Sequence, residues 1–232
     1  MNTASIFHNP VLRTISRLAV GLVFAFSGFV KLVDPLGSKF KFIDYFNAFD
    51  MGFLAPAALP LAILLSLAEF LIGAALLLNF RSKWATWGAV VFMIIFTPLT
   101  LYLAIANPVT DCGCFGDALI MTNWETFWKN IGIDVFLVLL IINRNKFIPP
   151  YSVKMQWAGV GAIALLAAAF GIYNSTHIPP MDFRPYEEGT HIPDKMKIPE
   201  GKEEDKYGYN YTVNNKETGE TKTVSSEQYM DM

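Results

Sequence analysis

Charge is scarce in this 232-residue sequence. Asp, Glu, Lys and Arg make up 16% of it, against roughly 25% in soluble domains. That argues against a single water-soluble domain. Histidine occurs three times and cysteine twice, too few for a disulfide-rich scaffold or an all-cysteine zinc site. No basic stripe is present and the pI is 5.9, which argues against nucleic-acid binding. No flavin, haem or nucleotide motif stands out. The first apolar run has a basic start that would suit a signal peptide, but no A-x-A-like site follows it. It ends instead at Asp34-Pro35-Leu36-Gly37, a helix stop, and reads as an uncleaved first transmembrane helix.

What is present in excess is apolar sequence: 53% of residues are hydrophobic and the mean hydropathy is +0.36. Five runs carry it, near 11–33, 57–80, 84–106, 127–142 and 153–173. Each is close to the roughly 20 residues that cross a ~30 Å hydrocarbon core. The third holds Pro98, which predicts a kink. The fourth is short and extends back through Trp124, a residue type of the membrane interface. Soluble core helices would show polar faces that these runs lack. The predicted fold is an all-α integral membrane protein of five transmembrane helices, the fifth over residues 151–173, with a polar tail over 174–232.

The loops separate by charge. Arg13 and Arg17 stand at the start of the first run, Arg81 and Lys83 lie between the second and third, and Arg144 and Lys146 lie between the fourth and fifth, with Lys154 at the start of the fifth. The positive-inside rule puts these loops in the cytoplasm. The N-terminus is then cytoplasmic and the Cys-containing loop and C-terminal tail are outside, as in a multi-pass membrane protein. From residue 175 onward there are twelve Asp and Glu against seven Lys and Arg, so the tail is acidic and water-facing. Within it, Tyr207–Val213 alternates like a strand, Asn214–Gly219 reads as a turn, and Glu220–Val224 as a second strand, predicting a β-hairpin. Thr176-His177-Ile178-Pro179 is echoed by Thr190-His191-Ile192-Pro193, too briefly to be a repeat. Between the first two runs, the aromatics of Phe40–Phe49 are spaced for one helical face. Two placements stay open for that segment: in the membrane interface, or packed on the bundle.

Both cysteines fall in one outside loop, Asp111-Cys112-Gly113-Cys114-Phe115-Gly116-Asp117. Three readings compete. A Cys-x-Cys bridge closes a very small ring whose geometry departs from a relaxed disulfide, so it should be readily reduced and suited to exchange. Gly113 and Gly116 supply the backbone freedom such a ring needs. A purely structural bridge over so short a loop would remove little unfolded-state entropy. A metal site would need two further ligands, and nothing in the sequence brings His177 and His191 near. The redox reading leads. Asp111 and Asp117 flank the pair and would raise the thiol pKa values, which suits a pair resting as a disulfide.

The sequence resembles a known family. Phe26-Ser27-Gly28-Phe29-Val30-Lys31-Leu32, Glu69-Phe70-Leu71-Ile72-Gly73, Cys112-Gly113-Cys114-Phe115-Gly116-Asp117 and Lys129-Asn130, in that order and spacing, resemble the DoxX-like superfamily, specifically its MauE/DoxX redox-associated membrane proteins. The resemblance covers roughly residues 11–145 and rests mainly on C-G-C-F-G. Lys129 stands where relatives usually carry Arg. The fifth helix and tail look like those of extended, Bacteroidetes-type members. The resemblance implies a DoxX-like four-helix membrane bundle over residues 1–150, with the fifth helix added to it, in a bacterial inner membrane, serving extracytoplasmic disulfide handling or maturation of exported redox proteins.

Lys31 and Glu69 lie inside apolar runs, where an isolated charge costs at least ~2.5–3.5 kcal/mol. They are natural partners, with Asp34 competing for Lys31 at i+3. Glu69 is a candidate proton relay or quinone-headgroup ligand; the plainer role is helix pairing. Asn130 and Asp134 share a face of the fourth run, where Asn130 caps that helix or bonds across the bundle. The predicted function is membrane-bound thiol/disulfide exchange: one thiolate of Cys112 or Cys114 attacks a partner disulfide and the other resolves it. The implied partners are the lipid bilayer and a thioredoxin-like or membrane protein, with electrons passing to a quinone or a second protein. The alternative is a non-enzymatic subunit or scaffold of a membrane complex. A third reading is transport or quinone binding within the bundle.

Overall fold

The structure is a computed structural model, and it describes residues 9–181, 183, 210–214 and 221–225. Chain contacts divide the molecule into two units, residues 1–187 and 188–232. The first unit is helical: α1 (Pro10–Val33), α2 (Pro35–Ala48), a 3-10 turn (Gly52–Ala57), α3 (Ala58–Leu77), α4 (Ser82–Ala106), a short 3-10 turn (Gly116–Ala118), α5 (Asn123–Asn143) and α6 (Val153–Asn174). In the second unit, β1 (Asn210–Asn214) pairs antiparallel with β2 (Thr221–Ser225), Asn210 opposite Ser225. The Thr190–Pro193 echo, with His191, lies outside the described residues.

Local chemistry sets the helix starts. Asn9 accepts from the Val11 amide at 2.8 Å ahead of Pro10, the N-cap-then-proline order that leaves fewest orphan amides. Thr122 and Glu125 form a capping box on α5, and Ser152 caps α6. Asn130 is thus not the α5 cap. Asp34-Pro35 does stop the first helix, but it also starts another: Asp34 accepts from the Gly37 amide at 3.0 Å and Pro35 takes the first helical position of α2. The predicted aromatic segment is therefore helical, and it packs on the bundle. Despite Pro98, α4 runs as one helix from Ser82 to Ala106.

Among the described residues, four helices are long and apolar enough to cross a membrane: Pro10–Val33, Gly52–Leu77, Ser82–Ala106 and Val153–Asn174. The fourth predicted run, α5, is not among them; Glu125, Lys129, Asn130 and Asp134 interrupt its apolar sequence. Yet α5 runs between the same two ends of the bundle as the others. At its start, Asn123 donates to Asn107 and to the Val109 carbonyl, both at 2.9 Å. At its finish, Arg144 lies over the Trp87 ring.

The core joins four helices. Val20 and Phe24 of α1, Leu76 of α3, Ala89 and Met93 of α4, and Ile133, Leu137 and Leu140 of α5 are buried together. The α6 helix lies outside this bundle, with the Phe170 ring stacked on Phe29 at 6.2 Å and Asn174 donating to the Leu32 carbonyl at 3.0 Å. The outward surface is apolar: Leu165, Leu166 and Ile94 are each about two-thirds exposed or more, a surface suited to lipid rather than water. One end of the bundle gathers Arg13, Arg17, Arg81 and Arg144. Arg17 donates to the Leu76 and Leu77 carbonyls, and Arg13 and Arg81 sit over Phe147 and Trp157. The other end holds α2 and the Cys loop. Trp84 and Trp87 at the basic end, and Trp124 and Trp128 at the Cys end, are exposed, as expected of interfacial belts.

Candidate functional site

A very close helix crossing places the site. A Cβ on Gly28 of α1 would fall 2.3 Å from the Phe70 nitrogen, and one on Gly73 of α3 would fall 2.1 Å from the Ala25 nitrogen. Only glycine allows backbones this close. The crossing brings Lys31 and Glu69 together as a buried ion pair. Asp34, the competing partner, caps α2 instead. Ser27, one turn before Lys31, lies 3.1 Å from Glu69 Oε2 and donates to the Cys114 carbonyl at 2.6 Å. Both neighbours are acceptors and the hydroxyl has a single proton to give, so Ser27 sits between the buried carboxylate and the Cys loop and donates to the loop carbonyl.

The loop itself is held from three sides. Cys112 and Cys114 form a disulfide. Gly113 and Gly116 both have positive φ, +63° and +55°, the backbone freedom their sequence positions called for. From α2, Lys41 pairs with Asp111 at 2.6 Å and the Tyr45 hydroxyl donates to the Cys112 carbonyl at 3.0 Å. Asp111 also accepts from the Gly113 amide at 3.0 Å. Asp111 is therefore neutralised by Lys41, which weakens its expected push on the thiols. Burial, and then Asp111, push the Tyr45 phenol well above its usual range, so it stays protonated and a donor. Phe115 is buried between the Phe26 ring, at 5.5 Å, and the Lys129 ammonium, 4.5 Å from the ring centre.

On α5, Asn130 does bond across the bundle, donating to Thr100 at 3.1 Å, while Asp134 accepts from Thr97 at 2.9 Å. Both partners are on α4. Asn130 therefore lines the same site as the ion pair, and Asp134 lies one turn further along α5.

These groups surround a cavity of about 680 Å³. Its polar end is formed by Cys112, Gly113, Cys114, Lys31, Glu69, Lys129 and Asn130. Tyr45 and Phe46 of α2 and Phe49 just past its end cover that end, and leucines of α3 with Phe92 and Phe96 of α4 line the remainder. Cys112 is buried, at 9% exposure, and Cys114 is half-buried. Among the described residues, no three His, Cys, Asp or Glu side chains converge to hold a metal ion.

Sequence reasoning singled out Cys112, Cys114, Lys31, Glu69, Asn130 and Asp134, and the structure brings the first five to one cavity. It missed Ser27, Lys41 and Tyr45 as site residues. The signal was present: Ser27–Lys31 and Lys41–Tyr45 are i, i+4 pairs and must share a helix face.

Four helices long and apolar enough to cross a membrane, among the described residues, fit a multi-pass membrane protein. Comparison with protein families gives its kind. The family described as Methylamine utilisation protein MauE matches residues 9–143, and the chain belongs to that family. The match runs from the cap of α1 to the end of α5, so it takes in the four-helix core, α2 and the Cys loop. No curated protein and no solved structure matches the chain.

Proposed function

We propose that the protein carries out extracytoplasmic thiol/disulfide exchange through Cys112 and Cys114, in the maturation of exported proteins. The observation that supports this most is the position of the disulfide. It forms part of a cavity wall, and its backbone is fixed by donors from α1 and α2, whereas a mere loop staple needs no such enclosure. On this reading α5 is the fourth of five spans and the fold is the DoxX-like bundle with α6 added. The basic end faces the cytoplasm by the positive-inside rule. The Cys end and the acidic tail face outward, in the inner membrane of a bacterium.

In the oxidised state the pair takes electrons. A thiolate of a partner dithiol attacks the sulfur of Cys114, the less buried of the two residues. The Cys112–Cys114 bond breaks, Cys112 leaves and takes a proton, and a mixed disulfide forms. The partner's second thiol then displaces Cys114, so the partner leaves oxidised and both site cysteines are thiols. Ser27 holds the loop carbonyl of Cys114 in place beside the buried Lys31–Glu69 pair.

Single-cysteine variants test the reading. With Cys112→Ser, the remaining Cys114 thiolate should accumulate reductant-sensitive adducts with an extracytoplasmic thiol protein, and Cys114→Ser should accumulate fewer. If neither variant traps an adduct and the double Ser variant restores a deletion strain, the exchange reading fails. The scaffold alternative, a non-enzymatic subunit of a membrane complex, would then stand.

A further inference from the structure

We propose that the gap between α3 and α4 is a lateral entry site for an isoprenoid quinone, whose ring reaches the Cys112–Cys114 pair while its tail leaves into the bilayer. This deepens the exchange reading and rests on it: a pair that has oxidised a partner must lose two electrons before it can act again.

The cavity has the size and polarity such a ligand requires. Its volume of about 680 Å³ lies within the range of small-molecule sites, roughly 300–1,000 Å³. Its polar groups gather at one end and the rest is apolar, which matches a ring with two carbonyl oxygens joined to a hydrocarbon tail. Quinone oxygens only accept hydrogen bonds, and the polar end offers donors. Lys129 has three N–H groups, and its contact with the Phe115 ring leaves donors for an oxygen. Asn130 uses its amide on Thr100 and has a second N–H. Lys31 and Lys41 are already paired with carboxylates, so Lys129 is the cation left for a ligand at this end. A neutral ring oxygen can take its N–H without meeting the Glu69 and Asp111 carboxylates as a like charge, whereas a phosphate headgroup would be repelled by both.

The apolar end faces outward. Leu61 and Leu64 of α3 and Ile95 of α4 line the cavity and are also exposed on the surface, at 38%, 61% and 58%. A ligand dissolved in the bilayer can therefore enter between the helices. In the step itself two S–H bonds break and the Cys112–Cys114 bond forms. Two electrons and two protons pass to the quinone, each ring oxygen gains one hydrogen, and quinol leaves by the same gap.

The test uses the full-length protein in nanodiscs of defined phospholipid, reduced, freed of reductant and held without oxygen, with decylubiquinone as the probe. One quinol should form per disulfide formed, and Cys112→Ser should abolish both. Leu64→Trp should raise the KM for the quinone by about tenfold or more with kcat little changed. The same substitution at Leu166, on the outer face of α6, should leave KM unaltered. If a soluble dithiol/disulfide couple cycles the pair but no quinol appears, the quinone site is wrong and the exchange reading survives. The quinone site is also overturned if quinol appears with the same KM in Leu64→Trp. If neither couple cycles the pair, the exchange reading fails and takes this inference with it.

Discussion

The two flanks of α3 are built in opposite ways. Toward α1 the helix is closed: Gly28 and Gly73 bring the backbones so near that an added Cβ would overlap main-chain atoms. Toward α4 it stands off, and a cavity of about 680 Å³ opens. The difference shows how one helix can serve two ends. The closed flank fixes Glu69 against Lys31 and Ser27, because small residues let the helices approach and the charges then neutralise each other in a dry setting. The open flank holds the Cys loop and α2 over the cavity, whose α3 and α4 walls are also exposed on the apolar surface. A tight wall and a loose wall around one buried carboxyl make a site both rigid and accessible.

That contrast can be broken in order of expected effect. Glu69→Ala should cost most, about 3–5 kcal/mol, because it strands the Lys31 charge on the closed flank. Unfolding in a denaturing detergent series would measure it, and Lys31→Met combined with Glu69→Leu should recover most of the loss. Gly73→Val should cost about 1–3 kcal/mol by forcing α1 and α3 apart, read as a lowered melting temperature. An insertion on the open flank should behave differently: Leu64→Trp should change stability by no more than about 0.5 kcal/mol. Equal penalties at Gly73 and Leu64 would refute the contrast.

The smallest effects concern the α2 cover. Tyr45→Phe removes one hydrogen bond to the Cys112 carbonyl and should cost about 1 kcal/mol. It should also alter the alkaline limb. The folded phenol is held above its usual range by burial and Asp111, while an unfolded tyrosine ionises near pH ~10. Above that pH the unfolded state has lost a proton that the folded state keeps, so stability should fall as pH rises. The Tyr45→Phe variant should lose that part of the decline, as measured by melting temperature against pH.

Much of this was legible in the sequence, and the physical reason is rarity. Two cysteines one residue apart, and single charges at Lys31 and Glu69 within apolar runs, stand out whatever the fold. Their glycine neighbours Gly113 and Gly116 announced a turn that needs backbone freedom. What stayed hidden depends on helix rotation. That Asn130 and Asp134 reach Thr100 and Thr97, or that Lys41 meets Asp111 70 residues away, follows from how helices face each other, which apolar sequences specify weakly. The start of α2 was masked for another reason: Asp34-Pro35 ends one helix and begins the next, and the same residues serve both signals. Likewise α5 reads poorly as a span because its site face is polar.

The most direct test of the account is a redox titration of the cysteine pair in isolated membranes. Samples poised across a series of dithiol/disulfide ratios would be acid-quenched and labelled with a maleimide polymer, and the shifted species counted. The account predicts that Cys112 and Cys114 gain two labels together over one reversible transition, which the Cys112→Ser/Cys114→Ser variant lacks. A pair locked in one state across the whole series would contradict it.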